Sequence, residues 1–251
     1  MARQKGIIKL RGTIGDITFY KSQDGHLARG KGGISKERIS NEASFQRTRE
    51  NNSEFGRAGN AGKILRDAFR TYIQYASDSR TVSRLTKSMV EVVKADATST
   101  RGQRNVLDGE LELLEGFEFN ADSQLGTSLY APYTATIDRL TGQAVVNVPA
   151  FIPANMIAAP KGATHFKIVS AAAEIDFENA KFSMVSAESP NLPLDSKPTL
   201  VINLTNALPA NSTHPLFLIL GIDFYQEVNG VMYPLKNGYY NSLVLAKVSG
   251  L

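Results

Sequence analysis

Near residue 107 the chain changes character, and that break constrains its fold more than any motif does. Before it, apolar residues recur at helical spacing; after it, they alternate. The charge changes sign at the same place. Residues 1–107 hold 21 Lys and Arg against 10 Asp and Glu, a net of +11, whereas residues 108–251 hold 7 against 14, a net of −7. A period of 3.6 and a period of 2 demand different elements. The expected class is therefore α+β. An N-terminal β-hairpin and an αα-hairpin should occupy 1–107, followed by an antiparallel β-sandwich over 108–251. A chain of 251 residues suffices for one large domain or two small ones and can bury a useful core.

The N-terminal strands are short. "GIIKLRG" sets Ile8 and Leu10 on one face. "DITFYK" sets Ile17 and Phe19 on one face and Thr18 and Tyr20 on the other, and Asp24-Gly25 is a hairpin turn signal before "HLARG". Helical spacing follows through Leu65, Phe69, Tyr72, Ile73 and Ala76, with Asn41 as N-cap. Gly56, Gly59 and Gly62 lower helix propensity and predict a break near residue 60. A second helix sets Val82, Leu85, Met89, Val92 and Val93 on one face, capped by Asp78 or Ser79. Beyond 107 the alternation predicts strands at 112–119, 134–139, 144–148, 165–171, 180–186, 199–203, 216–224, 231–235 and 243–248. Proline-rich joints and turn dipeptides such as Asn229-Gly230 separate them.

No catalytic motif survives inspection. "GRAGNAGKIL" offers Gly62-Lys63, but a phosphate loop needs glycine where Arg57 stands and a hydroxyl where Ile64 stands. "GTIGD" has the spacing of a nucleic-acid clamp loop but leads into a strand, so a tight turn accounts for it. Glu174, Asp176 and Glu178 alternate with Ile175 and Phe177, which makes them a solvated strand face and a candidate contact surface before a calcium site. His26, His165 and His214 have no metal-ligand spacing, and no nucleophile elbow occurs. Cysteine is absent, which excludes disulfides and thiolate metal sites. The chain is expected to be non-enzymatic, with no cofactor and no metal.

The basic half carries the strongest electrostatic signal. Lys5, Lys9, Arg11, Tyr20, Lys21, Arg29, Lys31, Arg47, Arg49 and Arg57 form the candidate interaction surface, with Glu174, Asp176 and Glu178 as its acidic counterpart. Cations interleaved with aromatics suit single-stranded nucleic acid, and the same cations suit an acidic protein face. No apolar run is long enough to span a membrane, and no signal peptide is recognised, so synthesis in the cytoplasm is expected, with incorporation into a released particle or filament open.

The stretch "GTIGDITFYKSQDGHLAR", followed by "FQRTRENNSEFGRAGNAGKILRDAFR", resembles an uncharacterised family from Bacteroidota. Its matching positions here are Gly12, Gly15, Tyr20, Lys21, Gly25 and Arg29. The resemblance implies a hairpin, an Arg-rich helix and a β-rich C-terminal part, and it implies no activity. Three functions fit this pattern. The leading one is a self-assembling structural subunit of a filament, tube or particle, a homo-oligomer joined head to tail and aided by exchange of the terminal strands "GIIKLRG" and "SLVLAKVSGL". The second is nucleic-acid binding or packaging through the basic half. The third is a ligand-binding sandwich using Tyr130, Tyr133, Tyr225, Tyr233, Tyr239 and Tyr240.

Overall fold

The computed structural model describes residues 2–30, 33–235 and 240–251. Lys31 and Tyr239 therefore lie outside the described residues. The chain forms two compact units, Met1–Arg49 and Glu50–Leu251. The class is α+β with antiparallel sheets.

In the first unit, β1 (Ala2–Arg3), β2 (Gly12–Ile14), β3 (Ile17–Ser22) and β4 (Gly25–Gly30) make an antiparallel sheet in the order β1-β4-β3-β2. Ser22 pairs with Gly25, so two residues join β3 to β4, and Gly25 takes φ +101°, which a side chain would resist. The register puts Thr13, Thr18, Tyr20, Leu27 and Arg29 on one face and Ile14, Ile17, Phe19, His26 and Ala28 on the other. "GIIKLRG" is not a strand. Gln4 accepts the Leu10 N–H at 2.8 Å and donates back to the Leu10 carbonyl at 3.3 Å, which closes residues 5–9 into a loop with Ile7 and Ile8 fully exposed. The first helix, α1 (Lys36–Asn41), is capped by Ser35, whose hydroxyl accepts the Arg38 N–H; Asn41 ends it instead of starting it. Among the described residues of this unit, no apolar side chain is buried.

The second unit holds α2 (Gln46–Ala68, its first turn in the first unit), α3 (Arg70–Ile73), α4 (Thr81–Ala95), α5 (Leu125–Ser128) and α6 (Pro153–Met156). The expected break near residue 60 is absent. α2 runs through all three glycines to Ala68, and Gly62 lies against Leu85 and Met89, where a Cβ would stand 3.6 Å from both side chains. On α4, Leu85, Met89, Val92 and Val93 are fully buried, but Val82 is exposed.

Nine strands follow among the described residues: β5 (Thr134–Asp138), β6 (Gln143–Val148), β7 (His165–Asp176), β8 (Lys181–Glu188), β9 (Leu192–Pro193), β10 (Ile202–Ala207), β11 (Leu216–Val228), β12 (Val231–Pro234) and β13 (Ser242–Ser249). A three-stranded sheet has the order β10-β6-β5. A six-stranded sheet has the order β12-β11-β7-β8, with β13 beside β11 and β9 beside β7. The central strands of this sheet, β7, β11 and β13, are buried on both faces, which is why "LFLIL" is a continuous apolar run. Ala171, Ala173, Phe217, Ile219, Leu243 and Leu245 pack with α2 and α4. Phe166, Ile168, Leu218, Leu220 and Ile222 pack with Val146 and Val148 of β6 and Leu204 of β10. The helices and sheets assigned above to separate domains thus share a core, and the composition break near residue 107 falls inside one unit.

Two expected strands differ. Residues 112–119 open with a 3-10 turn, Leu111–Leu114, because Leu111 and Leu114 are buried three residues apart. The rest then runs beside β13, with the Gly116 and Phe119 N–H groups on the Leu245 and Leu243 carbonyls. β10 begins at Ile202, not 199, since Ile202 and Leu204 are the inward positions.

Candidate functional site

The predicted basic residues fall into two groups. Lys5, Lys9 and Arg11, before β2, are exposed, as are Lys21 on β3, Arg29 on β4 and Arg47 on α2. Arg29 lies over the Tyr20 ring at 5.5 Å from its centroid. Partial burial lowers the pKa of His26, and Arg11, Lys21 and Lys9 lower it further. Its Nδ1 is buried with no hydrogen-bond partner.

Arg49 and Arg57 belong to a second group that serves the fold. Arg49 donates to the Ile39 and Glu42 carbonyls at 2.7 and 2.8 Å, closing the end of α1. Arg57 donates to the Gly102 and Arg104 carbonyls at 2.8 and 2.9 Å and to the Gln103 amide oxygen at 3.0 Å, which pins that loop to α2. A guanidinium committed to backbone carbonyls in this way offers little to a partner.

The three carboxylates do not converge. Glu174 accepts the Ser212 hydroxyl. Asp176 ends β7 and closes the β7–β8 turn by accepting the Glu178 N–H at 3.1 Å and the Asn179 N–H and side-chain amide at 3.0 and 2.8 Å; these donors hold its pKa low. Glu178 is exposed in that turn and, with Arg57, Asn105, Asp108, Phe177 and Leu251, lines a cavity of about 440 Å³. Among the described residues no cluster of three His, Asp or Glu can hold a metal ion.

Sequence reasoning missed two acidic positions in the second unit. Burial raises the Glu118 pKa to about 7, against the pull of the Leu125 N–H and Arg84. Its Oε1 accepts that N–H at 3.1 Å, and its Oε2 is buried without a partner. Burial likewise raises Asp223 on β11 to about 6; Lys167 opposes the rise and Glu188 adds to it. Asp223 lines a cleft of about 310 Å³ with Tyr75, Phe224, Tyr225, Pro234, Leu235 and Asn241. The one sequence signal was a carboxylate inside the apolar run "LFLILGIDF". The other walls come from distant parts of the chain.

No family model and no curated protein matches this sequence. One solved structure, described in the words "pH-induced modulation of Streptococcus parasanguinis adhesion by Fap1 fimbriae", aligns with 45% of this chain and 78% of its own, at 11% identity and a TM-score of 0.21. A likeness of that size carries no argument about fold or function. No helix among the described residues is long and apolar enough to cross a membrane.

Proposed function

We propose that this chain is a non-enzymatic structural subunit that assembles with itself. The basic first unit of one copy docks on the acidic second unit of the next. One observation carries this reading: the four-stranded N-terminal sheet has no core of its own. Ile7, Ile8, Ile14 and Ile17 are exposed at 103%, 80%, 63% and 47%. An isolated small sheet gains stability from apolar cover, and a surface patch of this kind marks an interface. Charge selects the occupant. Residues 1–49 hold 11 Lys and Arg against 4 Asp and Glu, a net of +7, and residues 50–251 hold 17 against 20, a net of −3. Contact between unlike surfaces is heterologous and propagates when its rotation does not close. Within this reading the two sheets that share a core form the β-sandwich. Exchange of the last strand has no place in it. β13 pairs with β11 on one side and bonds residues 116–119 on the other, leaving no free edge there.

A nucleic-acid partner is the second reading, favoured by Lys9, Arg11 and Lys21 around His26 and by Tyr20 beside Arg29. Size-exclusion chromatography with light scattering and absorbance at low and high salt separates the two. Self-assembly predicts multimers free of nucleic acid whose association weakens with salt and is lost at low salt in the triple variant Lys9→Glu, Arg11→Glu, Lys21→Glu. A monomer at every salt and protein concentration refutes it, and co-purified nucleic acid released by salt selects the second reading.

A further inference from the structure

We infer that the loop 5–9 of one copy inserts into the cavity flanked by Asp108 and Glu178 on the second unit of another copy. Ile7 and Ile8 meet its apolar wall, and Lys5 and Lys9 meet the two carboxylates. The inference rests on the self-assembly reading and names the surface that receives the basic unit.

The loop is held ready for a contact that its own unit does not supply. Gln4 clamps its ends through the two bonds to Leu10, and the same side-chain nitrogen donates to the Leu27 carbonyl of β4 at 3.0 Å. The Gln4 N–H donates to the His26 carbonyl at 2.9 Å, which fastens the clamp to the sheet a second time. A loop fixed beforehand gives up little freedom when it binds. Ile7 and Ile8 stand side by side in it, 103% and 80% exposed, so almost all their apolar surface is still to be buried. Lys5 and Lys9 bracket them. Lys5 has no hydrogen-bond or ion-pair partner among the described residues. Lys9 gives one donor to the Gln4 carbonyl at 2.5 Å and keeps two.

The cavity is complementary on both counts. Its volume of about 440 Å³ is within the range of binding pockets, and Val106, Leu107, Phe177 and Leu251 give it an apolar wall. Leu251 is itself 70% exposed. Asp108 and Glu178 are exposed beside that wall. Asp108 accepts the Asn105 side-chain amide at 2.7 Å, and neither carboxylate has a cation partner among the described residues. Arg57 also lines the cavity, but its terminal nitrogens are held by the loop 102–104. Two carboxylates against one committed guanidinium leave a net negative site, which disfavours a nucleic-acid backbone and favours a cationic guest. A purely cationic guest would leave the apolar wall wet. Isoleucines bracketed by lysines satisfy both demands. Every wall belongs to the second unit, so each copy carries one loop and one cavity, as a head-to-tail contact requires.

The test uses the full chain, with light scattering at low salt and melting curves to check folding. Lys5→Glu with Lys9→Glu, and separately Asp108→Lys with Glu178→Lys, should each raise the dissociation constant of assembly by about tenfold or more. Mixed in equal amounts, the two variants should co-assemble again, because each loop then finds a cavity of opposite sign. Cross-linking places the contact. The chain has no cysteine, so Gly6→Cys and Asn60→Cys copies carry one thiol each. A Cβ at Gly6 would stand 3.8 Å from the nearest atom, and Asn60 lines the cavity. Dissolved oxygen with copper phenanthroline takes two electrons and two protons from a thiol pair, and the disulfide should join unlike copies in preference to like ones. A wild type that stays monomeric removes the assembly reading and this inference with it. Assembly that survives both charge variants, a mixture that is not rescued, or no cross-link between unlike copies overturns the inference and leaves that reading standing. A chain bearing both thiols that closes on itself as a monomer overturns insertion into a second copy.

Discussion

Replacing Glu118 by Gln is expected to stabilise the protein above neutral pH and to leave it unchanged in acid. Glu118 keeps one oxygen on the Leu125 N–H and buries the other without a partner. Burial raises its pKa from 4.5 to about 7. A carboxyl that holds its proton more tightly in the folded state adds stability that is complete below the unfolded value. That stability is lost as pH rises through the folded value. The gap between 4.5 and about 7, at about 1.4 kcal/mol per pH unit, sets a ceiling of about 3 kcal/mol. Residual solvent contact lowers the working figure to about 2 kcal/mol. Gln keeps the acceptor for Leu125 and never ionises. The assay is urea unfolding of wild type and variant at about pH 4, 6 and 8, with the difference in free energy read at each. Asp223, raised to about 6, titrates in the same range, but it is common to both proteins and cancels in the difference. A variant no more stable at the highest pH refutes the reasoning. So does a difference that is constant with pH, which would be a packing effect.

Arg139 donates to the carbonyls of Ser212, His214 and Ser249, each at 2.8 Å, and to that of Gly250. Arg139→Ala should cost about 3 kcal/mol in urea unfolding, and Arg139→Lys should recover less than half of it, because one ammonium cannot span that fork. Gly59 is inside α2 with nothing within 4 Å of an added Cβ, so Gly59→Ala should raise stability by up to about 1 kcal/mol. Gly142 takes φ +73°, and its Cβ would stand 2.2 Å from the Leu208 carbonyl oxygen. Gly142→Ala should therefore lower the melting temperature, with a penalty above about 2 kcal/mol.

Periodicity was legible where many residues repeated it. Leu85, Met89, Val92 and Val93 marked the α4 face, and Ala144, Val146 and Val148 marked the inner face of β6. It misled where a short run satisfied two periods at once. Leu111 and Leu114 fit a 3-10 turn, while the carboxylates around them imitated strand alternation. Charge misled about domains for a different reason. It records which surfaces face water or a partner, and it is silent on which apolar faces meet. Those faces join α2 and α4 to β7, β11 and β13 across the change of sign. Arg57 shows the same limit: in sequence it continues a basic series, and its role depends on a loop almost fifty residues away. The cleft was beyond pattern reading altogether. Tyr75, Asp223 and Asn241 meet only through strand register and the ends of elements that the sequence does not align.

The composition of the open N-terminal sheet also predicts how an assembly built on it should respond to salt. Two kinds of group are exposed on this sheet and on the loop before β2: isoleucines at 7, 8, 14 and 17, and the cations Lys5, Lys9, Arg11 and Lys21. Screening acts on the cations, since the Debye length falls to about 3 Å at 1 M salt. It leaves apolar burial in place or strengthens it. Salt should therefore raise the dissociation constant to a plateau and not without limit. The plateau belongs to the isoleucines, so Ile7→Ser with Ile8→Ser should weaken assembly at every salt concentration and flatten nothing. The charge-reversal variant should show the opposite salt dependence, associating better as salt screens its repulsion. If Ile7→Ser with Ile8→Ser leaves the high-salt plateau unchanged, the coreless sheet is not what the partner covers.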